Sequence, residues 1–184
     1  MATRRDFLAK TGSGVLALSG LNYVSPLGQL AAEETSQGPL KVLTEHQANV
    51  YAAWCEVLAT GAAEANVARF LDEHLNRSFH DTLLMLKYLS NAPLGDFYVA
   101  GIAGIEDESM ARFSKSFLDL TETQKKSVVD AAATFSTTAW TNPVPPFFYF
   151  ISRSDAVDVV YGTIKGFRKL KVPYRPHIRP PTPW

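Results

Sequence analysis

The sequence predicts an all-α fold of about five to six helices in one compact domain, with an N-terminal signal segment before it and an extended Pro-rich tail after it. Three observations predict it. Apolar residues recur at three- and four-residue intervals along most of the chain, no alternating strand pattern of useful length occurs, and two Thr-x-x-Gln capping boxes mark helix starts. Of 184 residues, 46% are hydrophobic and 20% charged, which is the balance of a single globular domain with a real core. The expected boundaries are a signal segment at 1–32, a linker at 33–43, a helical domain at 44–166 and the tail at 167–184.

The first helix is expected to begin at Thr44, which has Gln47 at capping-box spacing, with Val50, Tyr51, Trp54, Val57 and Leu58 on one face, and to end near Gly61. A second, about Ala63 to Leu75, carries Val67, Phe70, Leu71 and Leu75 inward and leaves Glu64, Asp72 and Glu73 outside. A third, about Phe79 to Leu89, turns Phe79, Leu83, Leu86 and Leu89 inward. Between Asn91 and Gly104, Pro93, Gly95, Gly101 and Gly104 read as a loop or irregular turns. Met110, Phe113 and Phe117 then repeat at helical spacing. Thr121 and Gln124 open a helix of roughly four turns with Val128, Val129, Ala132 and Phe135 buried. Pro143, Pro145 and Pro146 break the chain, since proline is tolerated only in a first helical turn. A last helix containing Phe147, Phe148, Phe150, Ile151, Val157, Val160 and Ile164 runs to about Gly166. Five prolines in the thirteen residues from Val172 to Trp184 then impose an extended, polyproline-like tail.

Residues 1–32 read as an address rather than as fold. Arg4, Arg5 and Lys10 precede a modestly apolar stretch from Gly14 to Val24, and small residues stand at Ala31 and Ala32. Arg4-Arg5-Asp6-Phe7-Leu8 resembles the twin-arginine translocation motif, so Arg4, Arg5, Phe7 and Leu8 are assigned to an export signal. Cleavage near Ala32 removes three basic residues and one acidic residue and leaves a mildly acidic chain. No later stretch is long and apolar enough to span a membrane, so the mature chain is expected to be soluble or peripherally bound.

Lys plus Arg equal Asp plus Glu at 18 each, so the electrostatic footprint of a nucleic-acid binder is missing. The single cysteine, Cys55, cannot close a disulfide within the chain and sits among apolar neighbours, where a core role and a raised thiol pKa are expected. No glycine-rich dinucleotide fingerprint, nucleophile elbow or metal-ligand spacing occurs; Gly101-Ile102-Ala103-Gly104 reads as a flexible turn. His74 and His80 read as solvated or capping histidines, and Glu106-Asp107-Glu108 as a solvated helix start. No catalytic, cofactor-binding or metal residue is assigned.

Val160-Tyr161-Gly162-Thr163, then Gly166, Leu170 and Pro173-Tyr174 through His177-Ile178 to Trp184, resemble the closing signature of the gluconate 2-dehydrogenase subunit 3 family. The stretches Ala62 to Asp72, Tyr98 to Ile102 and Phe117 to Gln124 are similar to that family too, so the likeness covers roughly Leu43 to Trp184. One departure is Leu58-Ala59-Thr60-Gly61-Ala62, where many members have a proline-marked step.

The resemblance implies a non-catalytic small subunit of a periplasmic dehydrogenase complex, associated peripherally with the inner membrane. Its partners would be a large flavin-dependent subunit of the glucose-methanol-choline type and a multihaem cytochrome c subunit. FAD and haem c are then expected in those partners and no cofactor in this chain. Together with the signal, it implies an escort that carries a folded flavoprotein through the twin-arginine translocase. Aromatic residues dominate protein interfaces, which makes Phe147, Phe148, Tyr149, Tyr174, His177 and Trp184 the candidate contacts, with core packing the competing role for the phenylalanines. Two other readings stand beside this one: a free-standing periplasmic helical binding or scaffold protein, and an enzyme whose site is assembled from scattered residues such as Glu56, His80 and Tyr161.

Overall fold

A computed structural model describes residues 38–173; Arg4, Arg5, Phe7 and Leu8, assigned above to an export signal, and Tyr174, His177 and Trp184, assigned to the tail, lie outside them. Among the described residues there are seven α-helices and one 3-10 turn, and no strand. They are α1 (Glu45–Leu58), α2 (Val67–Leu75), the short α3 (Leu86–Leu89), α4 (Leu94–Phe113), the turn Phe117–Asp119, α5 (Glu122–Ala133), α6 (Pro145–Tyr161) and α7 (Ile164–Lys169). No helix among them is long and apolar enough to cross a membrane.

Helix α1 is the hub, packing against α2, α4, α5, α6 and the 3-10 turn. Its start is the predicted capping box: Thr44 Oγ1 accepts the Gln47 amide at 3.2 Å and Gln47 Oε1 accepts the Thr44 amide at 2.9 Å. Thr121 and Gln124 repeat the device at α5, and Thr163 Oγ1 accepts the Gly166 amide at 3.0 Å to start α7. Each cap satisfies amides that have no partner inside the helix. Val50, Tyr51, Trp54 and Cys55 of α1 are all fully buried, so the core role expected of Cys55 holds.

The span from Asn91 to Gly104 is not a loop. Pro93 precedes a 20-residue helix, α4, and Gly101 and Gly104 lie inside it. Both are there for packing. A Cβ on Gly101 would stand 2.0 Å from Cε2 of Phe148, and one on Gly104 would stand 2.3 Å from Cδ1 of Trp140, so only glycine lets these rings reach the helix axis. Glycine costs a helix about 1 kcal/mol against alanine, and here the burial of two large rings offsets it. The rings of Trp54, Trp140 and Phe148 meet at centroid separations of 5.4 to 6.1 Å, a cluster that joins α1, α4 and α6.

Four further expectations are corrected. The predicted third helix shrinks to Leu86–Leu89, and Phe79, Leu83 and Leu89, all expected inward, are exposed while Leu84 and Leu86 fill the core. Its amides find other acceptors: the Leu83 N–H goes to the His74 ring instead of a helical carbonyl. The second helix begins at Val67, because residues 59–66 form turns pinned from α1 by Glu56, which accepts the Gly61 and Ala63 amides at 2.8 and 3.0 Å. Gly61 adopts φ +95°, a left-handed conformation that glycine supplies without strain. Finally, Phe135 is exposed rather than buried, since the chain leaves α5 through a left-handed residue at that position (φ 56°). The last predicted helix is divided in two at Gly162, giving α6 and α7.

Candidate functional site

The sites that stand out are buried or half-buried carboxylates, each on a helix and each holding a connector, as Glu56 does at Gly61. Asp72, expected outside, is 2% exposed and accepts the amides of Lys41, Val42 and Leu43, each at 2.8 Å. Burial raises its pKa, but these three bonds and the nearby Arg69 outweigh burial and leave it below the ordinary carboxylate value. Glu108, expected to be solvated, is fully buried. Its Oε2 accepts the amides of Thr138 and Ala139 at 2.8 and 2.9 Å, and Oε1 pairs with the Arg112 guanidinium one turn on. Burial again pushes upward, and the Arg112 bond and the two amides again win, so Glu108 stays charged. Glu106 accepts Ser116 Oγ at 3.1 Å and the Phe117 amide at 3.3 Å.

Asp155 of α6 differs. It is 2% exposed and takes hydroxyl bonds from Tyr98, at short range, and from Tyr51 at 3.4 Å, while Oδ1 accepts the Met85 amide at 3.3 Å. No cation is bonded to it. Burial therefore dominates, and the two hydroxyls and the amide only limit a rise to about 6. Burial, with Asp155 among the contributing charges, also pushes Tyr51 and Tyr98 upward, and burial raises Cys55 as expected from its apolar neighbours. One helical turn away, Trp54 Nε1 donates to Ser152 Oγ at 2.8 Å. Together these groups tie α1, α4 and α6 to the connector before α3. Tyr51 and Tyr98 are both fully buried, so the cluster is closed to any ligand from outside.

His74 is a further buried group that the solvated reading missed, at 4% exposure. Its Nδ1 accepts the Leu83 amide at 3.0 Å, and burial, aided by Arg77 and Lys87, pushes the imidazole down to about 4, so it is neutral. His80 remains exposed, as expected.

The scattered residues of the enzyme reading each serve the fold. Glu56 holds the turn at Gly61, Tyr161 lies beneath the Lys169 ammonium at 5.9 Å, and the His80 carbonyl accepts Lys87 Nζ at 2.8 Å. Among the described residues no group of three or more His, Cys, Asp and Glu side chains is placed to hold a metal ion.

Of the candidate interface aromatics, Phe148 is fully buried among Trp54, Trp140 and Gly101 and serves the core, while Phe147 and Tyr149 are half-buried and packed against it. The outward apolar residues of α6 are instead Phe150 and Val157, at 51% and 38% exposure. A denser group lies on the connector between α2 and α4, where Phe79, Leu83, Tyr88 and Leu89 are all exposed. Periodicity missed these because it gave Phe79 and Leu83 to a buried helical stripe.

Fold and site together define a small helical domain whose buried carboxylates and His74 hold its own connectors. The chain belongs to the gluconate 2-dehydrogenase subunit 3 family, whose sequence model matches residues 45–177. That membership makes it an accessory-type subunit of multi-subunit gluconate dehydrogenase complexes. Searches of curated proteins and of solved structures gave no match.

Proposed function

We propose that this chain is the non-catalytic small subunit of a periplasmic, membrane-associated flavin-dependent dehydrogenase complex, binding the flavoprotein subunit and supporting its folding and twin-arginine export. The observation that carries the proposal is the family match across residues 45–177. The geometry supports it in two ways. The buried carboxylates and His74 are engaged in bonds to backbone amides, which is the arrangement of a rigid binding body. Exposed Phe79, Leu83, Tyr88 and Leu89 offer aromatic and aliphatic contact area on one connector.

In this reading FAD and haem c reside in the partners, a glucose-methanol-choline-type subunit and a multihaem cytochrome c, and the chain contributes no group to the reaction. Residues Arg4, Arg5, Phe7 and Leu8 supply the export signal for a flavoprotein that lacks one, and the complex sits peripherally on the inner membrane. The test is replacement of Arg4 and Arg5 by lysine in cells that also make the flavoprotein. The proposal expects both proteins to remain in the cytoplasm. A flavoprotein that still reaches the periplasm at normal levels defeats the escort role, and one that never copurifies with this chain defeats the subunit role.

A further inference from the structure

The connector between α2 and α4 is fastened to the helical body at two backbone amides only two residues apart. The Leu83 N–H is held by Nδ1 of His74 on α2 at 3.0 Å, and the Met85 N–H by Oδ1 of Asp155 on α6 at 3.3 Å. Both holders can take up a proton, both are at least 96% buried, and they come from different helices. We propose that the connector from Thr82 to Met85 is a proton-operated clasp whose two ends answer acid in opposite senses: His74 lets go of the Leu83 amide on gaining a proton, whereas Asp155 keeps hold of Met85.

The opposition follows from what surrounds each group. At His74 the acceptor is a ring nitrogen that exists as an acceptor only in the neutral imidazole. A proton there sets two N–H donors against each other and adds charge beside cations. Arg77 at the end of α2 and Lys87 of α3 are those cations. Lys87 Nζ is itself fixed to the carbonyls of His80 and Thr82 at 2.8 Å each, and the Phe70 ring covers the imidazole at 4.3 Å.

At Asp155 the facing groups are the Tyr51 hydroxyl and Cys55 thiol from α1, the Tyr98 hydroxyl from α4, Asp158 on its own helix and the Met85 amide from the connector. None is a cation. A proton there removes a buried charge that only neutral donors stabilise, and leaves a carbonyl oxygen to accept Met85. Burial pushes the two groups apart in the matching directions, His74 down to about 4 and Asp155 up to about 6.

Release at the His74 end frees the exposed Leu83 and loosens Leu84, which is fully buried, while the chain stays anchored beyond Met85. Acid thus swings the part of the connector that carries outward apolar side chains instead of melting the whole fold. This rests on the described geometry and is independent of which partner the subunit takes.

Amide hydrogen exchange on the full chain, from about pH 7.5 down to about 3.5, tests the clasp with site resolution. Leu83 is expected to lose roughly tenfold in protection as His74 titrates, about the worth of one buried hydrogen bond. Met85 is expected not to fall, with Trp54 and Ile151 reporting the helical body unchanged. The variant His74→Asn, whose side-chain oxygen can take the place of Nδ1 without titrating, is expected to abolish the Leu83 step. Protection at Leu83 that stays flat, that falls together with Met85 and Trp54, or that keeps its step in His74→Asn overturns the proposal.

Discussion

Phe148 lies across Gly101 so closely that a single methyl group on that glycine would overlap its ring, with Cε2 only 2.0 Å from the added carbon. The two residues are 47 positions apart, on α6 and α4, and their fit sets how near those helices approach. Gly101→Ala is therefore expected to destabilise the protein by about 2 kcal/mol, the helical gain of alanine being smaller than the cost of overpacking. Gly95, in the first turn of the same helix, has nothing within 4 Å of its added carbon, and Gly95→Ala is expected to stabilise by up to about 1 kcal/mol. Urea unfolding of the pair checks the contrast; equal effects would mean that the ring does not rest on Gly101.

On α6, neighbouring phenylalanines are expected to separate stability from surface behaviour. Phe148→Ala removes a fully buried ring and should cost about 3 to 5 kcal/mol. Phe150 is 51% exposed, and Phe150→Ala should stay within about 0.5 kcal/mol. If Phe150 lies in the partner interface, that variant copurifies less flavoprotein while unfolding normally. Thermal denaturation and copurification read the two quantities separately.

Removing a carboxylate that holds a connector should leave several amides without acceptors at once. Asp72→Ala frees those of Lys41, Val42 and Leu43 and is expected to cost about 2 to 3 kcal/mol, with faster exchange confined to those residues. A variant with wild-type exchange at all three would show that water replaces the carboxylate without loss.

Glu108→Gln strips charge from a buried group that faces Arg112 and the amides of Thr138 and Ala139. The guanidinium, left with only the Ser136 carbonyl, and the weakened loop bonds should together cost about 3 kcal/mol. Replacing Arg112 by Met in the same chain should recover part of that loss, because the half-buried guanidinium that has lost its carboxylate is then gone. A double-mutant cycle measures the coupling.

Two buried groups give stability opposite dependences on pH. Asp155 titrates at about 6 in the fold against about 3.9 when unfolded, so its contribution is full below the unfolded value and is lost as pH rises through 6. His74 titrates at about 4 in the fold against about 6.5 when unfolded, so its contribution is full above 6.5 and is lost as pH falls toward 4. Between these limits the two slopes cancel, each worth up to about 3 kcal/mol. Asp155→Asn is expected to unmask the histidine, so that its stability falls with pH from about 6.5 to 4 more steeply than the wild type's. Denaturant midpoints taken across that range check it, and parallel curves would count against the buried carboxylate.

The starts of α1 and α5 were legible in the sequence because a cap is local: Thr44 with Gln47, and Thr121 with Gln124, need nothing beyond four residues. The interior of α4 was not. Gly101 and Gly104 look like breakers until Phe148 and Trp140, far along the chain, arrive to fill the space they leave. The same distance hid the buried acids. Glu108 looks like a solvated charge within its own run, and only the approach of Thr138 and Ala139 makes it interior. Phe79, Leu83 and Phe135 failed the other way, for apolar spacing alone cannot show where a backbone leaves the helical path. Which apolar side chains the tertiary fold leaves outside, Phe79, Leu83, Tyr88 and Leu89 among them, depends on that same backbone path.

Because Glu56, Asp72, Glu106, Glu108 and Asp155 each reach out from a helix to grip a stretch of chain outside the α-helices, the segments usually free to fray are stitched to the most rigid parts. Such a chain has few hinges of low resistance, and opening one segment must first undo a charged or buried bond. Limited proteolysis of the native protein should therefore cut slowly between residues 38 and 143, with the first nick near Ser78 to Asp81, where the exposed turn is held mainly by its own short-range bonds.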